Sequence, residues 1–172
     1  SGSFHVDHSG PRVVAQSPDG NAPFNQIDLS FDEALDPITV TTADIAGFTD
    51  PNGNDLRGQI TGVSVVNGNI LRVSFNNQYA EGDYTLVLSP TLTDAVGNLM
   101  NQDGDAFMGE PEDAFSGQFL QELPDLAVVL SVSPSQAVAW QTAAVRWTVR
   151  NDGLAAAQRT WSDRLYLSAD AV

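Results

Sequence analysis

The sequence predicts an all-β protein, a β-sandwich followed by a second, incomplete β-module. Three observations carry that expectation. Apolar residues alternate with polar ones over many short runs, turn residues recur between the runs, and no helical pattern outlasts a single turn. Alternation with period two places the apolar residues of each run on one face of a sheet.

The elements follow in order along the chain. Ile27, Leu29 and Phe31 form the first clear alternating trio. Thr41-Thr42-Ala43-Asp44-Ile45 predicts one helical turn capped by a threonine, because a hydroxyl can accept from the first free N–H groups. Asn52-Gly53-Asn54 breaks two extended segments. Asn67-Gly68 lies between Val63-Val65 and Leu71-Val73-Phe75, which predicts a hairpin with a two-residue turn. Tyr84, Leu86 and Leu88 give a further strand. Val145, Trp147 and Val149 give one in the second module, with Asp152-Gly153 as the turn after it. No repeat of 20–50 residues stands out between the two halves.

Composition removes several classes of function. The chain has 172 residues, 42% of them hydrophobic, so a packed core is within reach. It has 22 acids, seven bases, no cysteine and a formal charge of -15, and every base is an arginine. Disulfides, zinc–thiolate sites and thiol nucleophiles are excluded, as are a lysine Schiff base and a lysine isopeptide crosslink. Binding of nucleic acid through a basic face is disfavoured, since phosphate contacts need clustered Lys and Arg. No apolar run approaches 18 residues, so no membrane span is expected. No secretory signal heads the chain, and Ser1-Gly2-Ser3 reads as a cloning remnant on a fragment of something longer.

Charge also marks a boundary. Residues 1–120 hold 17 acids and three arginines, whereas residues 121–172 hold five and four. The expected organisation is an N-terminal tag or linker at 1–10, a sandwich at 11–120, a stiff linker Gln121-Glu122-Leu123-Pro124-Asp125, and a truncated module at 126–172. Proline fixes its own φ and holds its predecessor extended, which suits a linker.

Residues 11–119 resemble a bacterial immunoglobulin-like module of the kind strung in tandem on large surface proteins. The resemblance is carried by Gly10-Pro11-Arg12-Val13-Val14 with Ser17-Pro18, by Leu29-Ser30-Phe31-Asp32-Glu33-Ala34-Leu35-Asp36-Pro37, and by Gly82-Asp83-Tyr84-Thr85-Leu86. Leu92-Thr93-Asp94-Ala95-Val96-Gly97-Asn98-Leu99 is its most recognisable stretch. Residues 125–172 resemble the N-terminal half of a CARDB domain, a cell-adhesion-related domain found in bacteria. That likeness rests on Pro124-Asp125-Leu126, Val145-Arg146-Trp147-Thr148-Val149-Arg150-Asn151 and Trp161-Ser162-Asp163-Arg164-Leu165-Tyr166-Leu167-Ser168. The resemblances imply a non-catalytic structural or adhesive module, extracellular or on the cell surface, with neighbouring domains of the same chain as partners. A carbohydrate- or ligand-binding accessory module of a secreted enzyme is the alternative.

A 48-residue piece buries too little surface to stand alone. Trp140, Trp147, Trp161 and Tyr166 would lack a facing sheet. These strands are therefore expected to pack on the first module or to pair with a second copy of the chain through open edges.

The chemistry concentrates between Asp94 and Asp113, where six carboxylates occur without a base. Asn101, Asp103 and Asp105 place oxygen ligands at alternate positions, Phe107 offers a backbone carbonyl at position seven, and Glu112 falls at position twelve. That is the ligand schedule of a calcium loop, since a hard cation gathers about 6–8 oxygens from a tightly turning chain. Ala106 stands where the schedule wants glycine, and Gly104 and Gly109 are the nearby substitutes. Related immunoglobulin-like modules carry a similar aspartate-rich insertion between their last two strands, so the resemblance implies calcium too. The competing reading is a solvated acidic loop. Asp50-Pro51-Asn52-Gly53-Asn54-Asp55 is a second oxygen-rich turn, explained more simply by backbone preference. His5-x-Asp7-His8 lies in the terminal segment and reads as tag or linker. Catalysis has little support, because a nucleophilic triad needs a base near Ser, Thr or Cys and both histidines lie in the first eight residues. Asp32 with Glu33, and Glu110 with Glu112, read as solvated acids rather than catalytic pairs.

Overall fold

A computed structural model describes residues 7–17, 24–132, 140–157, 162–164 and 166, without the side chains of 130–132. His5, Pro18, Trp161, Leu165 and Leu167, singled out above, lie outside the described residues. The chain divides into two compact units, Ser1–Glu122 and Leu123–Val172.

The first unit has seven strands: β1 Val13–Ser17, β2 Phe24–Phe31, β3 Ile45–Thr49, β4 Ile60–Val66, β5 Ile70–Gln78, β6 Gly82–Leu88 and β7 Ser116–Gln121. All pairings are antiparallel. One sheet runs β1-β2-β5-β4 and the other β3-β6-β7. No α-helix occurs among the described residues. The turn expected at Thr41–Ile45 is a 3₁₀ turn at Thr42–Asp44, in which the Thr41 hydroxyl accepts from the Ala43 N–H and Asp44 returns a bond to the Thr41 N–H.

Alternation decides which side chains meet. Phe24, Ile27, Leu29 and Phe31 of β2 are buried, as are Leu71, Val73 and Phe75 of β5 and Tyr84, Leu86 and Leu88 of β6. Each such side chain contributes about 1.5–3 kcal/mol on leaving water. Four rings form the centre: Phe24 packs on Phe75 and Tyr84 with centroids 5.1 and 4.9 Å away, and Phe48 packs on Phe75 at 4.7 Å. Tyr84 lies near the start of β6 and donates its hydroxyl to the Ala80 carbonyl at 3.0 Å. This is a tyrosine corner, a polar handle on a buried ring that fixes the β5–β6 crossover.

The β4–β5 hairpin differs from the expected two-residue turn. Val66 pairs with Ile70, so three residues form the loop. Asn67 and Gly68 both take positive φ, 54° and 86°. The third residue, Asn69, docks the loop on β2: its N–H side chain donates to the Phe31 carbonyl, and its own carbonyl accepts from the Phe31 N–H.

The strand registers place the two ends of the first unit far apart. Val13 pairs with Phe31 and Val87 with Ser116 at the end where the chain enters. Phe24 pairs with Gln78 and Gly82 with Gln121 at the end where β7 finishes.

The second unit contains β8 Leu126–Val132 and β9 Arg146–Asn151, an antiparallel pair. Asn151 ties its ends together, accepting from the Asp125 N–H and donating to the Ala155 carbonyl. Trp140 is fully exposed, and Trp147 donates its indole N–H to Asp163.

Candidate functional site

Two loops of the first unit share one construction. In Asp94-Ala95-Val96-Gly97-Asn98, Asp94 Oδ1 accepts from the backbone N–H groups of Val96 and Asn98, both at 2.8 Å, and Oδ2 accepts from Asn98 Nδ2. In Asp50-Pro51-Asn52-Gly53-Asn54, Asp50 accepts from Asn52 N, Asn54 N and Asn54 Nδ2 in the same way. The glycines take φ of 95° and 81°, conformations that cost other residues strain. Each loop is closed by a bridge, Thr93 to Leu99 in one and Thr49 to Asp55 in the other. The oxygens of Asp50 thus serve its own turn, and these bonds hold its carboxyl below the usual range, the Asn54 side chain foremost. The shared pattern, Thr-Asp-x-x-Gly-Asn, stands in the sequence at 49–54 and 93–98, a signal that sequence reasoning missed.

The loops differ in what they hold. Asn98 Nδ2 also reaches the entering chain, donating to the Ser9 carbonyl at 2.9 Å. Farther along, Asn101 N donates to the Pro11 carbonyl, and Gln102 exchanges side-chain bonds with both the N–H and the carbonyl of Val13. Gly10 lies so close to this strap that an added Cβ would meet the Leu99 carbonyl oxygen at 1.8 Å. The segment 7–13 is therefore laced along residues 98–102.

The acidic loop follows directly. Asn101 Oδ1 accepts from Gly104 N, Asp103 from Asp105 N, and Asp105 from Phe107 N, a ladder of side-chain caps that curls the chain. Gly104 and Gly109 supply the sharp bends, with φ of 76° and 77°. Pro111–Asp113 closes the loop as a 3₁₀ turn. Asp113 is fully buried and braces the loop across its width, accepting from the Glu110 and Asp103 backbone N–H groups.

Within this loop carboxylate oxygens of Asp103, Asp105 and Glu110 lie within 4.8 Å of one another. Glu112 of the expected ligand schedule is exposed on the 3₁₀ turn, outside that group, and Glu110 takes the inward position. Asn101 sits at the base of the loop with its amide engaged on Gly104 and Asp105. Phe107 keeps an exposed ring. Burial raises the Glu110 carboxyl, and the negative charges of Asp105, Glu112, Asp113 and Asp103 raise it further. The donor set is all hard oxygen and compact, which fits a calcium-type cation, and the one base that the fold brings to this loop is Arg12, whose guanidinium lies beside Gly104. Glu110 carries a signal that sequence reasoning missed: it precedes Pro111 and stands three residues before Asp113, the spacing of a reciprocal N-terminal cap.

A second carboxylate group gathers residues far apart in sequence. Oxygens of Asp7, Glu33 and Asp94 also lie within 4.8 Å of one another. Glu33 is raised to about 7, first by burial and then by the charges of Asp7, Asp94 and Asp32, with a hydrogen bond to Asp7 acting in the same sense. Asp32 itself pairs with Arg12 at 3.1 Å. No local motif announces this group, because it exists only once β2, the 94–98 loop and the entering segment are assembled. His8 is exposed beside it.

A seven-stranded unit with sheets of four and three strands and a tyrosine corner defines an immunoglobulin-like sandwich. The family model described as bacterial Ig-like domain matches residues 7–108, more than half of the chain, and the chain belongs to that family. The match ends before the second unit. Comparison with curated proteins finds no match.

Proposed function

We propose that the first unit is a non-catalytic spacer in a secreted or surface-attached bacterial protein, stiffened by calcium in the 101–113 loop. The observation that carries this reading is the polarity of the sandwich: the chain enters at one end and β7 finishes at the other, so copies add length when joined in tandem. The entry end holds Glu33, Asp94 and the whole acidic loop. Asp103, Asp105 and Glu110 are the cation's carboxylate ligands in this reading, with Asn101, Phe107 and Glu112 at the loop's base, side and rim. Neighbouring domains of the same chain are the partners, and adhesion is the role that the CARDB likeness of residues 125–172 suggests.

Calcium titration by calorimetry, with thermal melts in calcium and in chelator, tests the ion. Extracellular calcium modules bind at about 10⁻⁴–10⁻³ M. At the tighter end, millimolar calcium adds about 1.4 kcal/mol of stability. Asp103→Asn with Asp105→Asn is expected to abolish the shift. A melting temperature indifferent to both calcium and chelator rejects the ion and leaves the spacer reading to stand alone.

A further inference from the structure

The turn after β9 does more than reverse the chain. Residues 151–155 close on Leu123-Pro124-Asp125, the segment that leads into β8. Asn151 Oδ1 accepts from the backbone N–H groups of Asp125 at 2.9 Å and Gly153 at 3.1 Å, and Asn151 Nδ2 donates to the Ala155 carbonyl at 2.7 Å. The main chains bond directly as well: Asp152 N donates to the Asp125 carbonyl at 2.6 Å, and Ala155 N to the Leu123 carbonyl at 3.4 Å. Ala155 is buried. Close approach requires the glycine. A Cβ at Gly153 would meet the Leu123 carbonyl oxygen at 2.2 Å and the Asp125 nitrogen at 2.5 Å, backbone atoms that cannot swing aside.

A free linker at 121–125 would bend at every residue, since each has two soft dihedrals. The structure removes that freedom from both sides. Gln121 belongs to β7, pairs with Gly82 and is fully buried, its side-chain amide donating to the Gln78 carbonyl. Leu123 and Asp125 are held by the turn, and Pro124 fixes its own φ and keeps Leu123 extended. We infer that residues 151–155 are a clasp that builds Leu123-Pro124-Asp125 into the second unit and leaves Glu122 as the joint between the clasp and β7. Asn151 is its positioning residue, and Gly153 is the gap that admits the segment. Tension applied to the second unit then reaches β7 through one residue in place of a loose linker. The clasp holds no carboxylate of the 101–113 loop, so it stands whether or not that loop binds an ion.

Amide hydrogen exchange of the full chain, read residue by residue by NMR, tests the clasp. In the parent the N–H groups of Asp125, Asp152, Gly153 and Ala155 are expected to exchange at least about tenfold more slowly than in an unfolded chain, as bonded amides do. Asn151→Ala and Gly153→Ala are each expected to return them to within about twofold of the unfolded rate, while the β2–β5 ladder stays protected. Asn151→Asp keeps the acceptor oxygens and is expected to keep Asp125 and Gly153 slow. Arg150→Gln, which removes only the ion pair with the Asp152 side chain, is expected to change none of the four. A glutamate-specific endopeptidase gives a second reading. It needs several extended residues around the bond that it cuts, so it is expected to spare Glu122–Leu123 in the parent and to cut there in the two alanine variants. Where an alanine variant also loses the β8–β9 ladder, exchange and cleavage in the parent decide. Fast exchange at the four amides in the parent overturns the proposal, as do protection unchanged in both alanine variants and ready cleavage after Glu122 in the parent.

Discussion

Glu33 shows how much a single carboxyl can depend on the assembled fold. In the sequence it is one of two adjacent acids that read as solvated, yet the fold sets it beside Asp7 and Asp94 and raises it to about 7. The sign of the consequence follows from linkage. The folded chain holds the Glu33 proton more tightly than the unfolded chain, so stability declines as pH rises from about 4.5 to about 7 and levels off above. Glu33→Gln keeps a neutral hydrogen-bond donor at that position. The variant is expected to flatten this part of the profile and to gain melting temperature over the parent above pH 7. Melting curves between pH 4.5 and 8.5 measure it, and parallel profiles for the two proteins contradict the assignment. None of this was legible locally, because 26 residues separate Asp7 from Glu33 and 61 separate Glu33 from Asp94. Asp113 was similarly hidden among acids, although it is the buried brace of its loop.

At the scale of elements, the strands were legible and several connections were not. The trios of β2, β5 and β6 appear in the sequence as alternation because each packs one face on the core and leaves the other wetter. The β4–β5 turn was legible as a hairpin through Asn67-Gly68, but its length depended on Asn69 docking against Phe31, a tertiary contact. The calcium-loop schedule grouped Asp103 and Asp105 by spacing, and the fold sets their carboxylates near that of Glu110. It passed over Glu110 because a linear schedule does not register the turn that Pro111 starts. The twin Thr-Asp-x-x-Gly-Asn loops provide a comparison inside one molecule. Asn54 is exposed and bonds Asp50, whereas Asn98 is half-buried and also holds the entering chain at Ser9. Asn98→Ala is expected to cost about 1 kcal/mol more than Asn54→Ala, the worth of the additional hydrogen bond. Urea denaturation of the two variants measures the difference, and equal losses show that Asn98 does no more than close its own loop.

For the whole molecule, the partition of charge is the dominant physical fact. The first unit carries the net charge of -15 and the second carries none. Self-repulsion opposes the folded state of the first unit, and its arginines are few and largely committed: Arg12 to Asp32, Arg57 to Asp55, Arg72 to Asp28. Sodium chloride screens that repulsion, with a Debye length falling from about 10 Å at 0.1 M to about 3 Å at 1 M. The melting temperature of the first unit is expected to rise with salt when chelator is present. A melting temperature that falls over this range shows that the ion pairs outweigh the repulsion. This balance was legible from composition alone, since counting charges requires no fold. The membership of residues 7–108 in the bacterial Ig-like family was legible too, through Leu92–Leu99 above all, whose bonds prove to be a compact clasp.

That clasp has a mechanical consequence. A load drawn through the first unit pulls residue 7 one way and residue 121 the other, roughly along the strands. It reaches the entering segment before it reaches β1. There it must break the bonds from Asn98, Asn101 and Gln102 in succession, a peeling front that opens one fastening at a time. The aromatic interior stays sealed while those outer fastenings yield, so a first, low-force lengthening precedes rupture of the sandwich itself.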